Sequence, residues 1–164
     1  MGATERRSGV SYENMAYNIL VVCTGNICRS PIAEVLLRDY AQRRQRDIQV
    51  KSASVLGLVD KPAHRHAQAV AKEAGLDLSR HRSQPVTPEL AEWADYVLGM
   101  EIQHSSKLRA RYPDLEDKLL LLGSFGGMVE IQDPLGSWRR RFRITRDELQ
   151  RCTQAFLDQL PRKG

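Results

Sequence analysis

The chain has 164 residues, of which 41% are hydrophobic and 27% charged, a length and balance that suit one soluble domain with a buried core and leave no room for several. No apolar stretch approaches the length needed to span a membrane, and three cysteines, an odd number, argue against a disulfide framework and suit a reducing cytoplasm. The net charge of +5 is gathered in places, so its meaning depends on where the basic residues fall.

Taken in chain order, residues 1–17 carry Arg6, Arg7 and Ser8 but no apolar segment, and are expected to form a disordered extension rather than a signal peptide. Ile19, Leu20, Val21 and Val22 form the short β-rich run of a buried parallel strand. Gly25 is expected to supply the backbone freedom of a tight loop, and Pro31 to stand at the first position of a helix. Ile32, Val35, Leu36, Leu37 and Tyr40 give that helix an apolar face. Arg43, Arg44 and Arg46 then read as its solvated end.

Residues 48–53 predict a second strand, and residues 63–74 a helix stopped by Gly75. His64 and His66, two apart, would not share a face of that helix, and no metal-ligand spacing is visible. Thr87-Pro88-Glu89-Leu90 opens another helix with a cap and a proline at its first position. Residues 95–100 and 118–122 are short apolar strand candidates. Arg139, Arg140, Arg141 and Arg143, interleaved with Trp138 and Phe142, read first as a solvated face and second as an attractor for anionic phosphoproteins or even nucleic acid. Thr145-Arg146-Asp147-Glu148 has the pattern of a capping box opening the last helix, where Cys152 shares a core stripe with Leu149, Phe156 and Leu160. This alternation predicts an α/β domain with a doubly wound parallel sheet and its ligand site at the carboxyl ends of the strands.

The chemistry sits in Cys23-Thr24-Gly25-Asn26-Ile27-Cys28-Arg29-Ser30, between the first strand and the first helix. Loop amides from Thr24 to Ser30 would converge at a helix N-terminus, where unsatisfied N–H groups and the macrodipole favour an anion. A cysteine in that field is expected to react as a thiolate. Arg29 can offer parallel donors to a transferring phosphoryl group, and Ser30 can donate to the sulfur. The chemistry implied is attack on phosphorus and hydrolysis of a phosphocysteine, with no metal or cofactor. The nucleotide-binding P-loop pattern is not met, because no Gly-Lys-Ser/Thr follows.

The stretch from Val22 to Glu34, VCTGNICRSPIAE, closely resembles the signature of the low-molecular-weight protein tyrosine phosphatases. Further likenesses follow in order at Lys51-Ser52-Ala53, Leu78 to Arg82, Ala94 to Met100, Leu120 to Ser124 and Asp133-Pro134. The resemblance implies a domain over residues 18–160 followed by a tail, 161–164. Its expected fold is flavodoxin-like, a four-stranded parallel sheet of order 2-1-3-4 with helices on both faces. It implies Cys23 as nucleophile, Arg29 as phosphate-binding arginine and Asp133 as general acid and then base. Thr24, Gly25, Asn26, Ile27, Cys28 and Ser30 line the phosphate, and Asn26, Ser30, Ser52 and His81 form a network that holds the loop. Cys28 is either a redox partner of Cys23 that spares it from irreversible oxidation or a packing residue. The implied partner is a phosphotyrosine protein, with a bacterial tyrosine kinase as candidate; no membrane or nucleic acid is expected.

The chain departs from the family pattern around the substrate ring. Leu135 follows Asp-Pro where many members carry an aromatic residue, Leu56 and Leu58 lie in an aliphatic loop, and Ser54 replaces a usual glycine. Leu56, Leu58, Leu135 and Trp138 are therefore the candidate wall, with Phe142 as another aromatic, and a bacterial-type member is expected. Protein arginine phosphatases share the cradle but typically carry threonine where this chain has Ile27, which suits a phenyl phosphate. Arsenate reductases need a downstream cysteine pair, and only Cys152 lies downstream. A noncatalytic phosphate-binding adaptor would need neither the thiol nor the acid.

Overall fold

The computed structural model describes residues 16–162; the extension read from the sequence lies outside them except for Ala16 and Tyr17. Tyr17 is already the first residue of strand β1 (Tyr17–Cys23). Ile19, Leu20, Val21 and Val22 are fully buried, as expected for a strand covered on both faces. Helix α1 (Arg29–Arg43) follows, then β2 (Ile48–Ser54), α2 (Arg65–Glu73), α3 (Pro88–Trp93), β3 (Tyr96–Gly99), α4 (Ile102–Arg111), β4 (Leu119–Leu121) and α5 (Arg139–Gln159). All neighbouring strands are parallel, in the order β2-β1-β3-β4.

Alternate residues of β1 build the two halves of the core. Ile19 and Val21 pack with Ile32, Leu36, Leu37, Phe142, Leu149 and Phe156 of α1 and α5. Leu20 and Val22 pack on the other face with Ala91 and Leu108 of α3 and α4. The sheet is thus covered by helices on both faces, and the carboxyl end of β1 delivers Cys23 into the loop before α1.

Several local expectations are corrected. Helix α1 begins at Arg29, so Pro31 is its third residue; its missing N–H is still one of the four that a helix start leaves unpaired. Helix α4 has no counterpart in the sequence reading, because its surface is polar and only His104 and Leu108 are buried. Helix α5 begins at Arg139 rather than near Thr145. Thr145 lies inside it and donates its hydroxyl to the Arg141 carbonyl at 3.1 Å, so the apparent capping box is interior. Arg46 is not part of a solvated end: its two terminal nitrogens donate to the carbonyls of Leu157 and Leu160, both at 2.6 Å, and so satisfy exposed carbonyls at the end of α5. His64 and His66 do meet, with ring centroids 5.3 Å apart, because His64 is the cap of α2 and accepts from the His66 amide.

Candidate active site

The loop from Cys23 to Arg29 is shaped by Asn26. Its φ of 57° places it in the left-handed region, whereas Gly25 does not adopt a positive φ, so the turn expected at the glycine is made one residue later. Asparagine tolerates this backbone because its short side chain bonds locally. Buried Asn26 donates from Nδ2 to Ser30 Oγ at 2.8 Å and Ser52 Oγ at 2.9 Å. Its Oδ1 accepts from the Gln84 amide at 3.1 Å, and its carbonyl accepts from His81 Nε2 at 2.7 Å. Asn26, Ser30, Ser52 and His81 are therefore brought into one network, and Gln84 joins it. The Ser52 hydroxyl in turn donates to Glu34 Oε1.

Because Ser30 Oγ accepts from Asn26, its hydroxyl proton is free to point at Cys23 Sγ, 3.0 Å away. The amides of Gly25, Asn26, Ile27 and Cys28 donate to no acceptor among the described residues. They adjoin the start of α1, an arrangement suited to an anion.

Arg29 is 1% exposed. Its Nη1 donates to Glu101 Oε2 at 2.8 Å and to the Ile131 carbonyl at 2.7 Å. Its Nη2 lies 3.5 Å from Asp133 Oδ2, and Nε is buried without a partner among the described residues. One edge of the guanidinium is thus fixed, which leaves donors for a ligand. Asp133 is partly exposed, and its Oδ1 accepts from the Leu135 amide at 3.0 Å, the local turn expected of Asp-Pro.

Glu101 and His104 were not singled out by sequence. They follow β3 and form a reciprocal cap at the start of α4. His104 Nδ1 accepts from the Met100 and Glu101 amides, so Nε2 carries the proton and donates to Thr24 Oγ1 at 2.9 Å. Burial first, and then the charge of Arg29, push the His104 imidazole down to about 4. Burial works to raise the Glu101 carboxyl, but Arg29 holds it below its ordinary value. The signal available beforehand was a Glu-x-x-His pair at a strand's carboxyl end.

A cavity of about 150 Å³ is lined by Cys23, Thr24, Gly25, Ile27, Cys28, Arg29, Leu56, Leu58, Asp133 and Leu135. Three of the four wall candidates meet there. Trp138 does not line it and is 85% exposed, while Phe142 is buried and stacks on His64. Ser54 earns its place in the wall loop: its hydroxyl donates to the Thr24 carbonyl at 2.7 Å and accepts from the Gly57 and Leu58 amides. Burial first, and then the neighbouring Cys23 and Asp133, push the Cys28 thiol up to about 12. All three cysteines are free.

Known proteins place this geometry in a family. Residues 18–164 match the family described as low molecular weight phosphotyrosine protein phosphatase. Low molecular weight protein-tyrosine-phosphatase Etp of Escherichia coli is 40% identical over 145 residues, covering 88% of this chain and 95% of its own. A protein-arginine-phosphatase of Geobacillus stearothermophilus is 38% identical over 151 residues, covering 91% and 97%. A solved structure of YwlE arginine phosphatase, a cysteine-to-serine mutant with a phosphorylated active-site serine, superposes with a TM-score of 0.83 at 35% identity, covering 87% of this chain and 95% of that one. The chain belongs to the low molecular weight phosphotyrosine protein phosphatase family.

Proposed function

We propose that residues 18–160 act as a phosphatase on phosphotyrosine in proteins, through two displacements at phosphorus. Cys23, reacting as a thiolate, forms the S–P bond as the bond from phosphorus to the phenolic oxygen breaks, and Asp133 gives its proton to that oxygen. Asp133 then takes a proton from water, which attacks the phosphocysteine; the S–P bond breaks, inorganic phosphate leaves, and Ser30 donates to the departing sulfur. Arg29 Nε and Nη2, with the loop amides, hold the equatorial oxygens throughout. The observation that carries this reading is the meeting of Cys23, Arg29 and Asp133 on one cavity, with Arg29 Nε left without a partner among the described residues.

Ile27, Leu56, Leu58 and Leu135 give the cavity an aliphatic lining that suits a planar phenyl ring, and Ile27 has no hydroxyl to offer a guanidinium. A second reading, phosphoarginine, is favoured by the 38% identity to a protein-arginine-phosphatase. The first reading extends to a tyrosine kinase as opposing partner, supported by relatives named as tyrosine phosphatases, and to a reducing cytoplasm, which suits three free cysteines. It also includes a reversible Cys23–Cys28 disulfide under oxidant, in which a peroxide oxidises Cys23 to the sulfenic acid and the Cys28 sulfur displaces its hydroxyl as water, since both thiols are free and line the same cavity. Initial hydrolysis rates on a phosphotyrosine peptide and a phosphoarginine peptide, with reductant and without added metal, test the substrate. Faster release from phosphotyrosine is expected; preference for phosphoarginine would overturn the substrate while leaving Cys23, Arg29 and Asp133 in their roles.

A further inference from the structure

We infer that exposed Arg65, Arg139 and Arg140 form a docking surface for an acidic segment flanking the phosphorylated tyrosine of a protein substrate, an inference that rests on the phosphotyrosine reading above. Helix α5 opens with Arg139, Arg140 and Arg141 and has no acidic residue in its first turn, against the ordinary preference for negative charge at that end. A local rule broken without a local gain points to function.

Three neighbouring arginines are accounted for within the fold. Glu73 holds Arg143 and Arg146, each at 2.8 Å, and Arg141 donates to Gln132 Oε1 at 2.7 Å. Arg139, by contrast, meets only His66 among the described residues, with Nε 3.4 Å from Nδ1. Among the described residues no carboxylate lies within ion-pair distance of Arg65, Arg139 or Arg140. His66 registers the resulting field: desolvation first, and then the charges of Arg65 and Arg139, hold its imidazole below the ordinary value.

The patch is joined to the cavity from two sides. The amide of His64, next to Arg65, donates to the Ile27 carbonyl of the phosphate loop at 2.8 Å. On the other side, the Arg141–Gln132 bond ties the start of α5 to the residue before Asp133. Along the chain between Asp133 and Arg139 lie exposed Leu135 and Trp138, apolar contacts for the chain beside the phosphotyrosine. Three exposed cations with no carboxylate at ion-pair distance among the described residues match a short acidic peptide. They are too few for a nucleic-acid backbone, whose affinity grows with the number of phosphates neutralised.

The test compares kcat/KM for phosphotyrosine peptides with acidic, neutral and basic flanks, in the wild-type chain, in an Arg139→Glu/Arg140→Glu variant and in an Arg65→Gln variant. A small aryl phosphate, which does not reach the patch, reports on the cavity. The acidic flank is expected to gain about tenfold over the neutral one at low ionic strength, a gain that salt screens. Charge reversal should remove it with aryl phosphate hydrolysis unchanged, and Arg65→Gln should reduce it. Equal kcat/KM across the flanks, or a gain that survives charge reversal, would overturn the inference. So would salt-dependent binding of duplex DNA without flank preference. If only phosphoarginine peptides are turned over, the substrate reading fails by itself, and the same flank comparison on those peptides still decides the docking surface.

Discussion

Glu101 Oε2 lies 2.8 Å from Arg29 Nη1, so the second residue past the end of β3 holds the arginine of the loop after β1. The remaining contact of that nitrogen is the Ile131 carbonyl. Glu101→Ala is expected to let the guanidinium swing and to lower kcat/KM by about 10- to 100-fold, with weaker inhibition by inorganic phosphate. Glu101→Gln, which keeps an acceptor, should recover most of that loss. Steady-state kinetics with phosphate as competitor check both.

His104 gives the fold a defined pH dependence. Its imidazole is held at about 4, against an ordinary 6.5, so between those values the unfolded chain binds a proton that the folded chain does not. The stability it contributes is fully present above pH 6.5 and is lost as pH falls through that window. A loss on the order of 3 kcal/mol is expected from this group. Urea unfolding at successive pH values should show it, and His104→Gln should flatten the slope.

Asn26→Ala removes the donor to two serine hydroxyls and the acceptor for the Gln84 amide, and places alanine at φ 57°. A cost of about 2–4 kcal/mol is expected. Asn26→Gly relieves the backbone but not the lost hydrogen bonds, so it should recover only about 1 kcal/mol. Unfolding midpoints of the two variants separate the two contributions.

Asp133→Asn should lower the rate on a phosphotyrosine peptide by about 10² to 10⁴ while phosphate binding persists. The loss should shrink for an aryl phosphate whose leaving group needs no proton. A uniform loss across leaving groups would place the proton donor elsewhere.

The sheet was legible because Ile19 to Val22, Tyr96 to Leu98 and Leu119 to Leu121 are apolar runs and Ile48 to Val50 alternates apolar and polar, and the phosphate loop because its residues are contiguous. What escaped depended on contacts distant in sequence or on helices with little periodicity. Glu101 and His104 gain meaning only when β3 is paired beside β1, and α4 has too narrow a buried stripe to announce itself. The start of α5 was misplaced because Thr145 and Glu148 imitate a cap while the real start at Arg139 breaks the charge rule. Trp138 was drawn toward the cavity by its type, yet the turn after Pro134, closed by the Ser137 amide on the Pro134 carbonyl, is followed by a tryptophan that stays in solvent.

The central claim is that Cys23 carries the phosphoryl group. Enzyme mixed with a phosphotyrosine peptide, quenched in acid during turnover and digested for mass spectrometry, should show phosphate on Cys23; Cys23→Ser should lose turnover and retain phosphate on the introduced serine. Phosphate found on another residue, or undiminished turnover by the variant, would contradict the account.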